Sequence, residues 1–265
     1  MQATGTLAKM RVTPGAPVAY ALALGDAVVD VNALVGAHVS LDFTGRRFCR
    51  TCGAAVDRLF GEGFCYRDFL TDPNASPCIV RPELCEAHLG GGRDPAWEAR
   101  YHARPHAVYL AHSGGVKVGV TGADHTTFRW IDQGAAAGLR VAETPYRRLA
   151  GEIEVALKGR FSDRTPWRRM LTDAPCDPEA LLAARREALG ALPESLAAWG
   201  LPDEPMTRLA YPVSRYPAKV ASVDLARDGG VTGRLAGARG QYLLFEDGAV
   251  FNVRKHTGHE VTLRA

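Results

Sequence analysis

HAVYLAHSGGVKVGVTGADHTTFRWIDQGAA, residues 106–136, decides how the chain is read. Short apolar runs flank the Ser-Gly-Gly turn, the pattern of two short strands joined as a hairpin. The strands are expected at 107–111 and 116–120, followed by a helix near 127–139 and a second near 146–160. In that second helix Leu149, Ile153, Ala156, Leu157 and Arg160 recur at three- and four-residue spacing and define one largely apolar face.

Four residues in and after this stretch have the side chains that phosphodiester chemistry uses. Tyr109 and Lys117 lie on adjoining strands, Arg129 opens the following helix and Glu154 belongs to the next. A carboxylate can hold a divalent ion such as Mg2+ or Mn2+, an arginine can face transition-state charge, and a tyrosine or lysine can sit near the nucleophile. Trp130, Asp132 and Gln133 are expected to line the same cleft, with Asp132 a rival metal ligand.

Upstream, five of the six cysteines fall between positions 49 and 85. Cys49 and Cys52 form a C-x2-C pair in the turn CRTCG, and Cys65 is followed by Asp68 where a fourth cysteine would complete a zinc ribbon. Cys78 and Cys85, with His88 or His102, have the donors for a second four-coordinate ion. The N-terminus has no long apolar signal region and no run approaches a membrane span, so the expected compartment is the cytoplasm, where thiols stay reduced and clustered cysteines favour structural Zn2+ over disulfides. One or two such ions are expected. Cys176 stands apart and reads as an unliganded structural residue.

Length places several small modules in the 265 residues. The organisation read from the sequence is a β module at 1–47, a cysteine-rich zinc-binding module at 48–104, an α/β core at 105–175, a helical linker at 176–205 and a second β module at 206–265. In the linker, Asp177 and Pro178 mark the start of an amphipathic helix. The expected fold class is α+β, with β-rich modules at both ends that pack together.

Net charge is only +3, so its distribution matters more than its total. Residues 144–170 carry seven Lys or Arg against three acids, and FSDRTPWRRML interleaves Phe161 and Trp167 with basic side chains. Arg160, Arg164, Trp167, Arg168 and Arg169 are the candidates for phosphate contact and base stacking. GARG at 237–240 matches the GxxG of a KH loop superficially, but it leads into a strand rather than joining two helices. A C-terminal barrel of OB or SH3 type is a further candidate for strand binding. No P-loop, dinucleotide fingerprint, HExxH or G-x-S-x-G elbow occurs, which argues against ATPase, dehydrogenase, metalloprotease and esterase chemistry.

VYL, KVGVT, FRW and GEIEVAL match, in order and type, the motifs of the GIY-YIG nuclease superfamily, which the stretch resembles. That resemblance implies an endonuclease core with Tyr109, Lys117, Arg129 and Glu154 as site residues, lysine replacing the second tyrosine. Over nearly the whole chain, FCRTCG, FCYRDF, CIVRPELC, RDPAWE, VYLAHSGGVKVGVT, RWIDQGA, DRTPWRRML and GARGQYLLF resemble an uncharacterised bacterial and archaeal family, domain of unknown function 2797. It implies further cysteine positions, occupied here by Asp68, Gly92 and His102. The function expected is a zinc-stabilised nucleic-acid-binding protein and metal-dependent endonuclease. The alternatives are a non-catalytic RNA- or DNA-binding module, or an enzyme acting on a small phosphorylated or nucleotide-like ligand.

Overall fold

A computed structural model describes residues 1–172 and 176–265, a mixed α+β chain that separates into two compact units. The expected end of the α/β core at 175 lies outside the described residues. The first unit is formed by Met1–Leu70 and Leu209–Ala265, with a short stretch from Leu171; the second is formed by Thr71–Met170 and the helical stretch that ends at Arg208.

The first unit joins the two β-rich ends in one seven-stranded sheet. Its order is Gln2–Thr6, His259–Arg264, His38–Arg47, Gly230–Arg239, Tyr242–Phe245, Ala249–Asn252 and Ala221–Val223. All neighbours are antiparallel except the last pair. The first and last strands pair along their length, Gln2 opposite Arg264 and Thr6 opposite Glu260, and Thr4 and Thr262 share a hydroxyl hydrogen bond of 2.9 Å. A three-stranded sheet, Arg11–Thr13, Ala19–Leu24 and Ala27–Asp30, completes the β structure of this unit. The GARG sequence ends the Gly230–Arg239 strand and turns into the next, so it belongs to a hairpin.

The second unit is built on a four-stranded antiparallel sheet ordered Val116–Gly122, His106–His112, Ala137–Thr144 and Thr207–Arg208. Along its first hairpin Val108, Leu110, Val118 and Val120 alternate with Tyr109, Lys117 and Gly119, and the four aliphatic residues enter a hydrophobic core. Ala150, Ile153 and Leu157 from the Arg147–Leu157 helix and Leu181, Ala184 and Ala188 from the Pro178–Gly190 helix fill the same core, with Cys176 against it. Asp177 caps the latter helix by accepting a hydrogen bond from the Glu179 amide at 2.9 Å.

One sequence expectation is corrected. The helix near 127–139 stops at Asp132, and residues 137–144 form the third strand of the sheet. The alanine run at 135–137 has high helix propensity, but Leu139, Val141 and Ala142 gain more by pairing beside His106–His112 and burying in the core.

Candidate metal centres and polar cluster

In the first unit, the turn that carries Cys49 and Cys52 is closed by hydrogen bonds from the Cys49 amide to Ala54 and from the Gly53 amide to Cys49, both 2.9 Å. Opposite it, Cys65 precedes the Tyr66–Thr71 helix and Asp68 lies in its first turn. Cys49, Cys52, Cys65 and Asp68 bring one ligand atom each to within 4.8 Å of one another. The Cys49 thiol donates to Asp68 Oδ2 at 3.1 Å, and hydrogen bonds from the cysteine thiols hold the Asp68 carboxyl below its ordinary range. Asp68 is buried and turns its carboxylate inward, as a ligand must, whereas Cys52 is exposed.

The second cluster lies in the second unit and is made by short 3-10 turns, Pro77–Ile79 and Pro82–Leu84, and by the Pro95–Tyr101 helix capped at Asp94. Cys78, Cys85, Glu98 and His102 are all buried and also converge within 4.8 Å. The structure brings His102 rather than His88 to the cysteines; the His88 ring stacks instead on Tyr146 with centroids 4.5 Å apart. Glu98 was not singled out from the sequence. Its signal is the four-residue spacing to His102, which puts both side chains on one helix face, and their Oε2 and Nδ1 atoms are hydrogen-bonded.

Gly92, the position at which the family resemblance implies another cysteine, lies against this carboxylate. A Cβ on Gly92 would sit 2.4 Å from Glu98 Cγ, so Glu98 occupies the space that a side chain at 92 would need. The donor chemistry of the cluster fits a metal. The contact with Cys85 and the His102 ring hold the Cys78 thiol down to about 4, the Cys85 thiol is pushed up by Cys78, and burial pushes Glu98 up. Two sulfurs, an imidazole and a carboxylate crowded in a buried site compete for protons in this way, and a bound cation relieves the competition.

The four expected phosphodiester residues also converge. The Tyr109 hydroxyl donates to Gln133 Oε1 at 2.9 Å, the Arg129 guanidinium lies beside Tyr109, and its charge acts on Lys117 as well. Lys117 Nζ donates to the Asp163 carbonyl at 2.9 Å and to Thr165 Oγ1 at 3.4 Å. Lys158 bridges Glu154 and Asp163 at 3.4 Å to each. Three of the four are closed off rather than laid open on one face, Tyr109 fully buried, Lys117 4% exposed and Glu154 7%, while Arg129 is half-buried. Burial raises the Tyr109 and Glu154 values, and burial with the Arg129 charge lowers Lys117 to about 8. Trp130 packs edge-on to Tyr109.

Ser162 bridges to Lys117 as a short parallel edge, and the chain then continues through the exposed residues Arg164, Arg168 and Arg169. The Arg168 guanidinium lies 4.4 Å over the half-buried Trp167 ring, while Arg160 pairs with Glu187 at 3.4 Å. Phe161 is in the hydrophobic core and presents no stacking face. A cavity of about 560 Å3 lies in the first unit, lined by Arg215, Tyr216 and Lys219 among others, and contains none of the expected site residues.

The fold and these centres define a mixed α+β protein with two cysteine-rich clusters that can hold a metal ion. The chain belongs to the family described as "Protein of unknown function (DUF2797)", whose profile matches residues 36–261. No curated protein and no solved structure gives a significant match. No helix among the described residues is long and apolar enough to cross a membrane.

Proposed function

We propose that the chain is a zinc-stabilised nucleic-acid-binding protein whose second unit is a GIY-YIG-like, divalent-metal-dependent endonuclease. The observation that carries the reading is the convergence of Tyr109, Lys117, Arg129 and Glu154 from the two hairpin strands, the helix that follows them and the helix beyond the third strand, beside an exposed basic segment. Zn2+ suits both cysteine-rich donor sets, because a borderline-soft ion without geometric preference accepts thiolate, imidazole and carboxylate in a tetrahedron.

In this reading Glu154 is the ligand for Mg2+ or Mn2+, which would supply Lewis-acid stabilisation at the phosphoryl oxygens. Arg129 faces the developing negative charge. Lys117, lowered to about 8, is an ammonium near the attacking water at neutral pH and becomes able to accept its proton as the pH rises past 8, with Tyr109 beside it. Arg160, Arg164, Trp167, Arg168 and Arg169 hold the polymer by phosphate contact and stacking. The stretch that covers Lys117 leads directly into these residues, so the docking segment adjoins the centre in sequence.

A non-catalytic binding module is the second reading, favoured by the full burial of Tyr109 and its hydrogen bond to Gln133. Incubation with labelled single-stranded, duplex and structured DNA and RNA, with Mg2+ or Mn2+, separates the two. Cleavage that disappears in Glu154→Ala and Arg129→Ala supports the nuclease; binding without cleavage supports the module; neither binding nor cleavage overturns both.

A further inference from the structure

We infer that the Cys78, Cys85, Glu98 and His102 cluster is a positioning metal site, in which a bound ion fixes the helix that carries Glu154 through Arg147. The Glu154 role rests on the reading above; the link between the cluster and the helix does not. Three contacts make the link. The buried Arg147 guanidinium donates from Nε and Nη2 to the carbonyl of Cys78 at 3.1 and 2.9 Å, and from Nη2 to that of Ile79 at 3.1 Å. The Arg147 amide donates to the carbonyl of His102, a second ligand residue, at 3.0 Å. One turn further on, a Cβ at Gly151 would meet Glu83 N at 2.3 Å and Pro82 C at 2.5 Å, so the helix backbone lies directly on the Pro82–Leu84 turn that precedes Cys85.

Arg147, Gly151 and Glu154 are spaced i, i+4 and i+7, a single stripe along one helix face. The first two of them rest on the metal loop. That loop is made of single 3-10 turns with little apolar core, only Cys78, Cys85 and Ala87 in its own cluster, so its shape depends on what crosslinks its side chains. An ion joining Cys78 to Cys85, Glu98 and His102 sets where the Cys78 and His102 carbonyls point. Arg147 reads both, and the helix follows. Arg147 is thus a positioning residue, bonded to the backbone of the ligands and not to the ion.

The test is amide hydrogen exchange of the 147–157 segment in the full-length protein, stripped of metal by chelation and then titrated with Zn2+. Expected is exchange slowed about tenfold by Zn2+ in the wild type and in Cys52→Ser, which impairs only the first cluster. The slowing should disappear in Arg147→Ala and return in part in Arg147→Lys, which keeps one donor for the Cys78 carbonyl. Exchange that is insensitive to Zn2+, a zinc effect abolished by Cys52→Ser, or a full zinc effect in Arg147→Ala each overturns the inference. No nucleic acid enters the measurement, so its result is independent of whether the chain binds or cleaves any.

Discussion

The hydroxyl of Tyr109 fills the volume that a side chain at Gly119 would require, since a Cβ at 119 would lie 2.4 Å from that oxygen and 2.6 Å from Cζ. The two residues face each other across the first hairpin. Gly119→Ala should therefore destabilise the protein by about 1–3 kcal/mol in denaturant unfolding, the usual cost of overpacking a filled core. Tyr109→Phe in the same background should recover only part of that loss, because the ring carbon still clashes. An unchanged midpoint in Gly119→Ala would show that the hydroxyl is not held there.

Metal content is directly measurable. Elemental analysis of freshly purified protein should give about two Zn2+ per chain, one per set of four donors. Cys52→Ser and Cys78→Ser should each lower the content by about one equivalent, from different clusters. Chelation should lower the thermal midpoint, since binding free energy at such sites is folding free energy. Protein purified without zinc and unchanged by chelator would remove the metal assignment.

Lys117 gives a pH signature. Burial, with the nearby Arg129 charge, holds it at about 8 against an ordinary 10.5. Below pH 8 folded and unfolded states both carry the proton, and the folded state bears the whole cost of a buried ammonium. Between 8 and 10.5 the unfolded chain binds more protons, so stability rises with pH. Relative to Lys117→Met, the wild type should gain up to roughly 3 kcal/mol across that window, since each proton withheld by the fold is worth about 1.4 kcal/mol for every tenfold fall in acidity. A difference that stays flat there would mean the amine reaches water.

Docking through the basic segment has its own readout. If Arg164, Arg168 and Arg169 each neutralise a phosphate, each alanine substitution should flatten the plot of log affinity against log salt by about 0.7 for single strands. Trp167→Ala should weaken single-strand binding by about 1–3 kcal/mol with little change in slope, the mark of stacking. Equal slopes in all four proteins would place the interface elsewhere.

What the sequence made legible was governed by local physics. The hairpin strands at 106–122 follow from two short apolar runs about a glycine turn, and the start of the Pro178–Gly190 helix from its Asp-Pro signal, since neither needs distant partners. Cys49, Cys52, Cys65 and Asp68 were visible because two short turns supply all the donors. Glu98 was not: a glutamate in a polar helix becomes a ligand candidate only when Cys78 and Cys85, 20 and 13 residues away in sequence, are folded against it. The third core strand was hidden for a related reason, because its alanines favour helix locally and the pairing that overrides them is made with residues about thirty positions earlier. The burial of Tyr109 likewise depends on Gln133 and Trp130, and alternation alone gives a side, not a depth.

The ladder between Gln2–Thr6 and His259–Arg264 bears on the order in which a ribosome can complete the large sheet. The most C-terminal strand is not at the border of that sheet; it lies between the most N-terminal strand and His38–Arg47. Until it emerges, two nascent segments wait with their ladder groups open, whereas the hairpin and helices of the second unit have already met all their neighbours up to Arg208. The interrupted β unit is therefore the half that is completed last, and a nascent chain stalled before residue 259 would carry all the strands of the second unit's sheet but an unfinished first one.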